Sequence, residues 1–148
     1  MERDQFLKTL GISLAMVCAG TCLHSCGKKG GEDGPDTDPG TGGNKVSIDI
    51  SSMAALGSQK TSGGVLFFRI AQENQASSFV ATEAFCPHQG GDLAWQQTSN
   101  KIQCSLHAAT YTSAGAVTSQ PVGSSGNTRA LKIYTVTLTG TTLTATKS

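Results

Sequence analysis

Two short pairs of metal-ligating residues constrain this chain more than any other feature. They are Cys86-Pro87-His88 and Cys104-Ser105-Leu106-His107, with the fifteen residues 89–103 between them. Each pair offers one thiolate and one imidazole. A cysteine and a histidine two or three residues apart on a tight loop can turn both side chains toward one point, so two facing loops make a Cys2His2 donor set. Gln89-Gly90-Gly91-Asp92 follows the first pair, and adjacent glycines let a backbone turn closely around a bulky inorganic centre. By donor type alone the set suits zinc as well as iron. A Cys86–Cys104 disulfide would leave the spacing of the histidines without a purpose.

The other three of the five cysteines, Cys18, Cys22 and Cys26, lie near the N-terminus. Met1 to Lys8 is polar, and Leu10 to Leu23 is mostly apolar. As a helix, Leu10–Leu23 would reach about 21 Å against a hydrocarbon core of about 30 Å. That is short for a span and suited to the apolar region of a signal peptide, so residues 1–25 are read as an export signal. Arg3-Asp4-Gln5-Phe6-Leu7-Lys8 resembles a twin-arginine signal with Asp4 in place of the second arginine, and the general secretory route is equally open. Leu23-His24-Ser25-Cys26-Gly27 resembles the lipobox of bacterial lipoproteins, with His24 as its departure. That resemblance implies lipidation of Cys26 and a membrane-anchored protein on the periplasmic side of the cell envelope; the alternative is cleavage and release. Gly27 to Asn44 holds seven glycines and two prolines in eighteen residues. Such a segment buries too little apolar surface to offset its ordering entropy, so 26–44 is read as anchor site and flexible linker. Cleavage before Cys26 would leave no cysteines for a disulfide framework outside the ligand pairs.

The folded domain is expected over residues 45–148. Eighteen glycines and only 14% charged residues suit an all-β domain rich in turns. Eleven basic residues against ten acidic ones leave a net charge of +1, which gives no electrostatic reason to expect nucleic acid. Val46, Ile48 and Ile50 alternate with polar residues as in a half-buried strand. Met53–Leu56 is a turn or short helix, and Val65–Phe68 is a continuous apolar run ended by Arg69. Ser78–Glu83 is a further strand, paired with that run through the polar turn at Gln72–Ala76. Leu131–Thr139 and Thr141–Thr146 form a hairpin around Gly140, and the alternation switch at Ile133–Tyr134 predicts a bulge. Between these groups, residues 86–122 read as paired hairpins carrying the ligand loops, with Trp95 a buried aromatic.

The ligand order and spacing, Cys86-x-His88, fifteen residues, Cys104-x-x-His107, resemble the Rieske [2Fe-2S] iron-sulfur protein family. Tyr111 stands at the family's aromatic position four residues after the second histidine. Gly115 lies in the following turn, Gln120-Pro121 resembles the family's Gly-Pro, and Leu131-x-x-Tyr134-x-Val136 resembles its closing strand. The resemblance implies a β-sandwich with a cluster-binding subdomain of two loops. One [2Fe-2S] cluster would sit there, Cys86 and Cys104 holding one iron, His88 and His107 the other. Imidazole ligation places Rieske centres at about −150 to +300 mV, against about −400 mV for plant-type all-cysteine clusters.

Departures from the family refine the expectation. Quinol-oxidising members carry a further cysteine in each loop, joined as a disulfide, where this chain has Gly91 and Leu106; they carry a serine where this chain has Ala109. Tyr111 keeps the hydroxyl that bonds a cysteine sulfur. The resemblance therefore implies a one-electron carrier of the bacterial cell envelope, with a potential below the quinol-oxidising type. No catalytic residue of its own is evident. Its partners would be redox proteins, or a membrane quinol or cytochrome system, meeting a tip formed by Gln89, Gly90 and Leu106. The alternatives are the iron-sulfur subunit of a quinol-oxidising, cytochrome bc-type complex and a structural zinc domain.

Overall fold

The computed structural model describes residues 43–148. The expected signal 1–25, Cys26 and nearly all of the linker 26–44 lie outside the described residues. Ten strands form in order: β1 (Lys45–Asp49), β2 (Gln59–Ser62), β3 (Val65–Arg69), β4 (Phe79–Glu83), β5 (Leu93–Gln96), β6 (Lys101–Cys104), β7 (Thr110–Tyr111), β8 (Val117–Ser119), β9 (Ile133–Thr139) and β10 (Thr142–Thr146). A 3-10 turn at Ala76–Ser78 precedes β4. No helix among the described residues is long and apolar enough to cross a membrane.

The strands make two antiparallel sheets, one of six in the order β1-β10-β9-β4-β3-β2 and one of four in the order β5-β6-β7-β8. The larger sheet curls until its edges approach: Lys147 Nζ beside β1 donates to the Gly63 carbonyl in the β2–β3 turn at 2.6 Å. Val46, Ile48, Ile50, Val65, Phe67, Phe79, Ala81, Leu143 and Ala145 fill its interior.

Every residue of β3 is buried, because its two faces serve two cores. Val65 and Phe67 point into the first core. Leu66 and Phe68 point the other way, into a second core with Ala84, Leu93, Trp95, Ile102, Tyr111 and Leu131. A strand covered on both faces loses the polar half of its alternation. Trp95 stacks on Phe68 with ring centroids 4.5 Å apart, so the four-stranded sheet lies against the outer face of β3.

One expectation changes, and two features were not anticipated. The run Val65–Phe68 is followed by Arg69 within the same strand. That side chain is buried, its Nη1 donating to the Met53 carbonyl at 2.8 Å and its Nε to the Ala71 carbonyl at 2.8 Å. Strand β2, Gln-Lys-Thr-Ser, lacks apolar alternation because it is an exposed edge strand held by its backbone pairing with β3. The Ile133–Tyr134 switch is not a bulge: Leu131 belongs to the second core and Tyr134 to the first, while β9 pairs with β4 and β10 without a shift. The register shift lies instead at Thr110/Tyr111.

Asp49 at the end of β1 ties that strand to the β9–β10 turn, accepting from the Ser51 N–H at 2.8 Å and the Thr141 hydroxyl at 2.7 Å. Hydrogen bonds from Ser51 and then Thr141 lower its carboxyl from 3.8 to about 2. A carboxyl depressed on folding contributes stability that is complete above its unfolded value and is lost as the pH falls through its folded value. Asp49→Asn is therefore expected to flatten the fall in melting temperature between pH 3.8 and about 2. An unchanged pH profile in thermal unfolding would contradict this.

Candidate metal centre

The first ligand pair sits on the loop that joins β4 of the larger sheet to β5 of the smaller, the second on the loop between β6 and β7, and both cysteines belong to the second core. The first loop leaves β4 through Phe85 and closes on itself: the Cys86 N–H donates to the Gly91 carbonyl at 2.7 Å and the Gly90 N–H to the Cys86 carbonyl at 2.8 Å. Gly90 has φ +75°, a left-handed conformation that suits glycine. The second loop leaves β6 at Cys104, whose N–H donates to the Ala109 carbonyl at 2.9 Å. Ala108 in that loop has φ +53°, a strained conformation for a residue with a Cβ. The Ser105 N–H donates to the Asp92 carbonyl at 2.9 Å and joins the two loops.

Cys86 and Cys104 are free and buried. Burial raises the Cys86 thiol, but hydrogen bonds led by the Tyr111 hydroxyl and the His88 N–H outweigh it and bring the net shift down. Burial likewise raises Cys104, and the N–H groups of Leu106 and His107 offset this only in part. Tyr111, fully buried, places its Oη 3.1 Å from the Cys86 sulfur. Burial, then the bond to Cys86, pushes the phenol upward, so it stays protonated.

The imidazoles of His88 and His107 stand edge to face with ring centroids 5.2 Å apart. The Nδ1 atoms of both are buried and have no hydrogen-bond partner. Buried polar atoms nearly always find one, so two orphaned nitrogens beside two free buried thiols form a donor set that a metal cofactor would complete. Among the described residues no three His, Cys, Asp or Glu side chains converge on one metal position. Two neighbouring imidazoles and two buried thiols are the donor types that both zinc and an iron-sulfur cluster accept.

A third loop, after β8, covers the His88 ring and bonds the backbone of the second ligand loop. His88 Nε2 lies 2.9 Å from the Ser125 carbonyl, and the Val122 N–H donates to the His107 carbonyl at 2.8 Å. Thr128 from the same loop puts its hydroxyl 2.7 Å from Tyr111 Oη. Sequence reasoning missed Ser125 and Thr128, and only the Gly-Ser character of residues 123–126 pointed to a loop there. His107 borders an open groove of about 540 Å³ with Leu106, Ala108 and Val122. Leu106 is 57% and Val122 66% exposed. All three residues of the expected docking tip, Gln89, Gly90 and Leu106, are exposed.

A family model for the Rieske [2Fe-2S] domain matches residues 50–135. The chain belongs to the Rieske [2Fe-2S] family. A Rieske domain binds one [2Fe-2S] cluster and transfers electrons with it, and the two sulfur and two imidazole donors fit that cofactor. None of the curated proteins compared matches this chain. Among solved structures, the ferredoxin of carbazole 1,9a-dioxygenase from Nocardioides aromaticivorans IC177 is 18% identical, the match covering 68% of this chain and 94% of that one, TM-score 0.51. The reduced complex between oxygenase and ferredoxin in carbazole 1,9a-dioxygenase is 20% identical over 70% of this chain and 28% of that one, TM-score 0.50. The plasma membrane Rieske protein of Synechocystis PCC 6803 is 18% identical over 68% and 97%, TM-score 0.48. The first two of these carry the same all-β Rieske fold.

The site also defines what Gly91 must be. A Cβ on Gly91 would lie 2.8 Å from the Cys104 sulfur and 2.8 Å from Leu106 Cγ. Gly91→Ala is expected to displace Cys104 at a cost of about 1–3 kcal/mol, seen as lower visible absorbance per chain and a lower melting temperature. Full cofactor content and unchanged stability would contradict the crowding.

Proposed function

We propose that Cys86 and Cys104 hold one iron of the cluster and His88 and His107 the other, and that the protein is a one-electron carrier of the bacterial cell envelope. The observation that carries the assignment is the pair of buried, unpartnered Nδ1 atoms beside two free, buried cysteines. Bound there, the cluster supplies reversible one-electron chemistry. The protein's own residues fix its charge balance and its exposure. Tyr111 donates to the Cys86 sulfur, and donation to a ligand sulfur favours the more negative, reduced state, so this bond raises the potential. Ala109 offers no hydroxyl for a second such bond, which leaves the potential below that of quinol-oxidising members.

Gly91 and Leu106 stand opposite each other, as the crowding between them requires. A disulfide bridging the loops would occupy these positions, and neither residue is a cysteine. This favours an electron carrier over the iron-sulfur subunit of a quinol-oxidising complex. His88 is covered by the Ser125 carbonyl, whereas His107 borders the open groove. A redox partner protein would therefore meet the His107 edge, against a small apolar surface of Leu106 and Val122, as suits a transient electron-transfer contact. Residues 1–25 would direct export, Cys26 would carry lipid, and residues 27–44 would tether the domain to the membrane.

Purified protein is expected to show the visible absorption and low-temperature paramagnetic resonance of a reduced two-iron cluster. A colourless, zinc-containing protein would overturn the assignment. Tyr111→Phe is expected to lower the midpoint potential by about 60 mV, the one-electron equivalent of a tenfold change in equilibrium; no downward shift would remove the role given to its hydroxyl. Mass spectrometry of the membrane fraction is expected to find a lipidated Cys26 as the first residue, and Cys26→Ala to release the domain. An unlipidated chain in the soluble fraction would contradict the anchor.

A further inference from the structure

Behind Tyr111 lies a second buried hydroxyl, with no counterpart in the ligand motif. Thr128 Oγ1 is 2.7 Å from Tyr111 Oη, which is itself 3.1 Å from the Cys86 sulfur. Thr128 is 7% exposed and Tyr111 fully buried, so water has little access to compete for these bonds. The position of Thr128 is fixed from several sides. Its N–H donates to Gln120 Oε1 at 2.8 Å. Next to it, Arg129 grips the Glu83 carboxylate through Nη1 and Nη2 at 2.6 and 2.9 Å. Just beyond, the Leu131 N–H donates to the Gly115 carbonyl at 2.9 Å.

Counting protons gives the chain of bonds a direction. As a metal-bound thiolate, Cys86 can only accept, so Tyr111 spends its one hydroxyl proton on the sulfur. The Tyr111 oxygen is then left as an acceptor in a buried setting. Thr128 has one hydroxyl proton and two acceptors within reach, Tyr111 Oη at 2.7 Å and the Arg129 carbonyl at 3.4 Å. The shorter bond takes it. A phenol that accepts a hydrogen bond becomes a stronger donor in turn, and the effect is larger in a low-dielectric interior.

We propose that Thr128 is a positioning residue for electron transfer: its hydroxyl donates to Tyr111, aims the tyrosine proton at the Cys86 sulfur and strengthens that bond, so raising the potential. The proposal rests on the reading of Cys86 as a cluster ligand. A threonine serving only to close its loop would leave the potential where it is.

The test is a double-mutant cycle read by redox titration of the cluster-loaded protein, followed by circular dichroism and paramagnetic resonance. Thr128→Val, close in shape but without the hydroxyl, is expected to lower the midpoint potential by less than Tyr111→Phe does. Thr128→Ser is expected to restore it. In the Tyr111→Phe background Thr128→Val is expected to cause no further shift, because the intermediary is gone. An unchanged or raised potential in Thr128→Val, or the same shift in both backgrounds, would overturn the proposal. Should Thr128→Val fail to load its cluster, Thr128→Ala takes its place with the same expected fall, and no fall overturns the proposal. A Tyr111→Phe variant with no shift of its own would overturn the relay by removing the role of the tyrosine hydroxyl, whereas a wild-type protein without the paramagnetic signal of a reduced two-iron cluster would bring down the ligand reading underneath, a result distinct from failure of the Thr128 relay alone.

Discussion

Leaving a buried polar atom without a partner costs about 1–3 kcal/mol, and this domain holds two such atoms side by side, His88 Nδ1 and His107 Nδ1. Much of the surrounding architecture keeps them in place. The two loops that carry them are closed by their own backbone bonds and tied together through Ser105 and Asp92. The third loop holds the outer side of His88 through the Ser125 carbonyl. An arrangement that spends so much structure on unpartnered donors makes physical sense when a metal cofactor completes them, as it does in the family to which the chain belongs.

The support underneath is the double burial of β3. Phe67 packs into the curled sheet while Phe68, on the opposite face, stacks under Trp95. A single strand thereby welds the structural core to the core that contains Cys86 and Cys104. The sulfur end of the site is dry and set among apolar side chains, where the Tyr111 bond is stronger than it would be in water. The imidazole end lies at the rim beside the exposed Leu106 and Val122. The site therefore has a buried, hydrogen-bonded side and an accessible side, as electron transfer by a Rieske cluster needs.

The candidate donors Cys86, His88, Cys104 and His107, and Tyr111 beside them, could be singled out in the sequence because each lies in a short local motif, and most strands because Val46, Ile48 and Ile50, or Leu143 and Ala145, alternate with polar neighbours. Other features depend on contacts distant in sequence. Strand β2 has no apolar pattern, and its existence follows from the backbone groups that β3 offers it. Arg69 looks like a surface stop, yet it is buried because backbone carbonyls of the adjacent turns and the Phe79 ring, 5.1 Å away, receive its guanidinium. The roles of Ser125 and Thr128 arise from how the loop after β8 folds back, across separations of 37 and 17 residues from His88 and Tyr111.

The central claim is the division of donors into a cysteine pair and a histidine pair. Pulsed paramagnetic resonance of the reduced protein, with nitrogen-15 introduced only at histidine, tests it most directly. The account predicts couplings from two imidazole nitrogens, both from the Nδ1 positions, with one coupling lost in His88→Cys and the other in His107→Cys. A reduced cluster with no imidazole coupling, or with couplings that survive both substitutions, would contradict it.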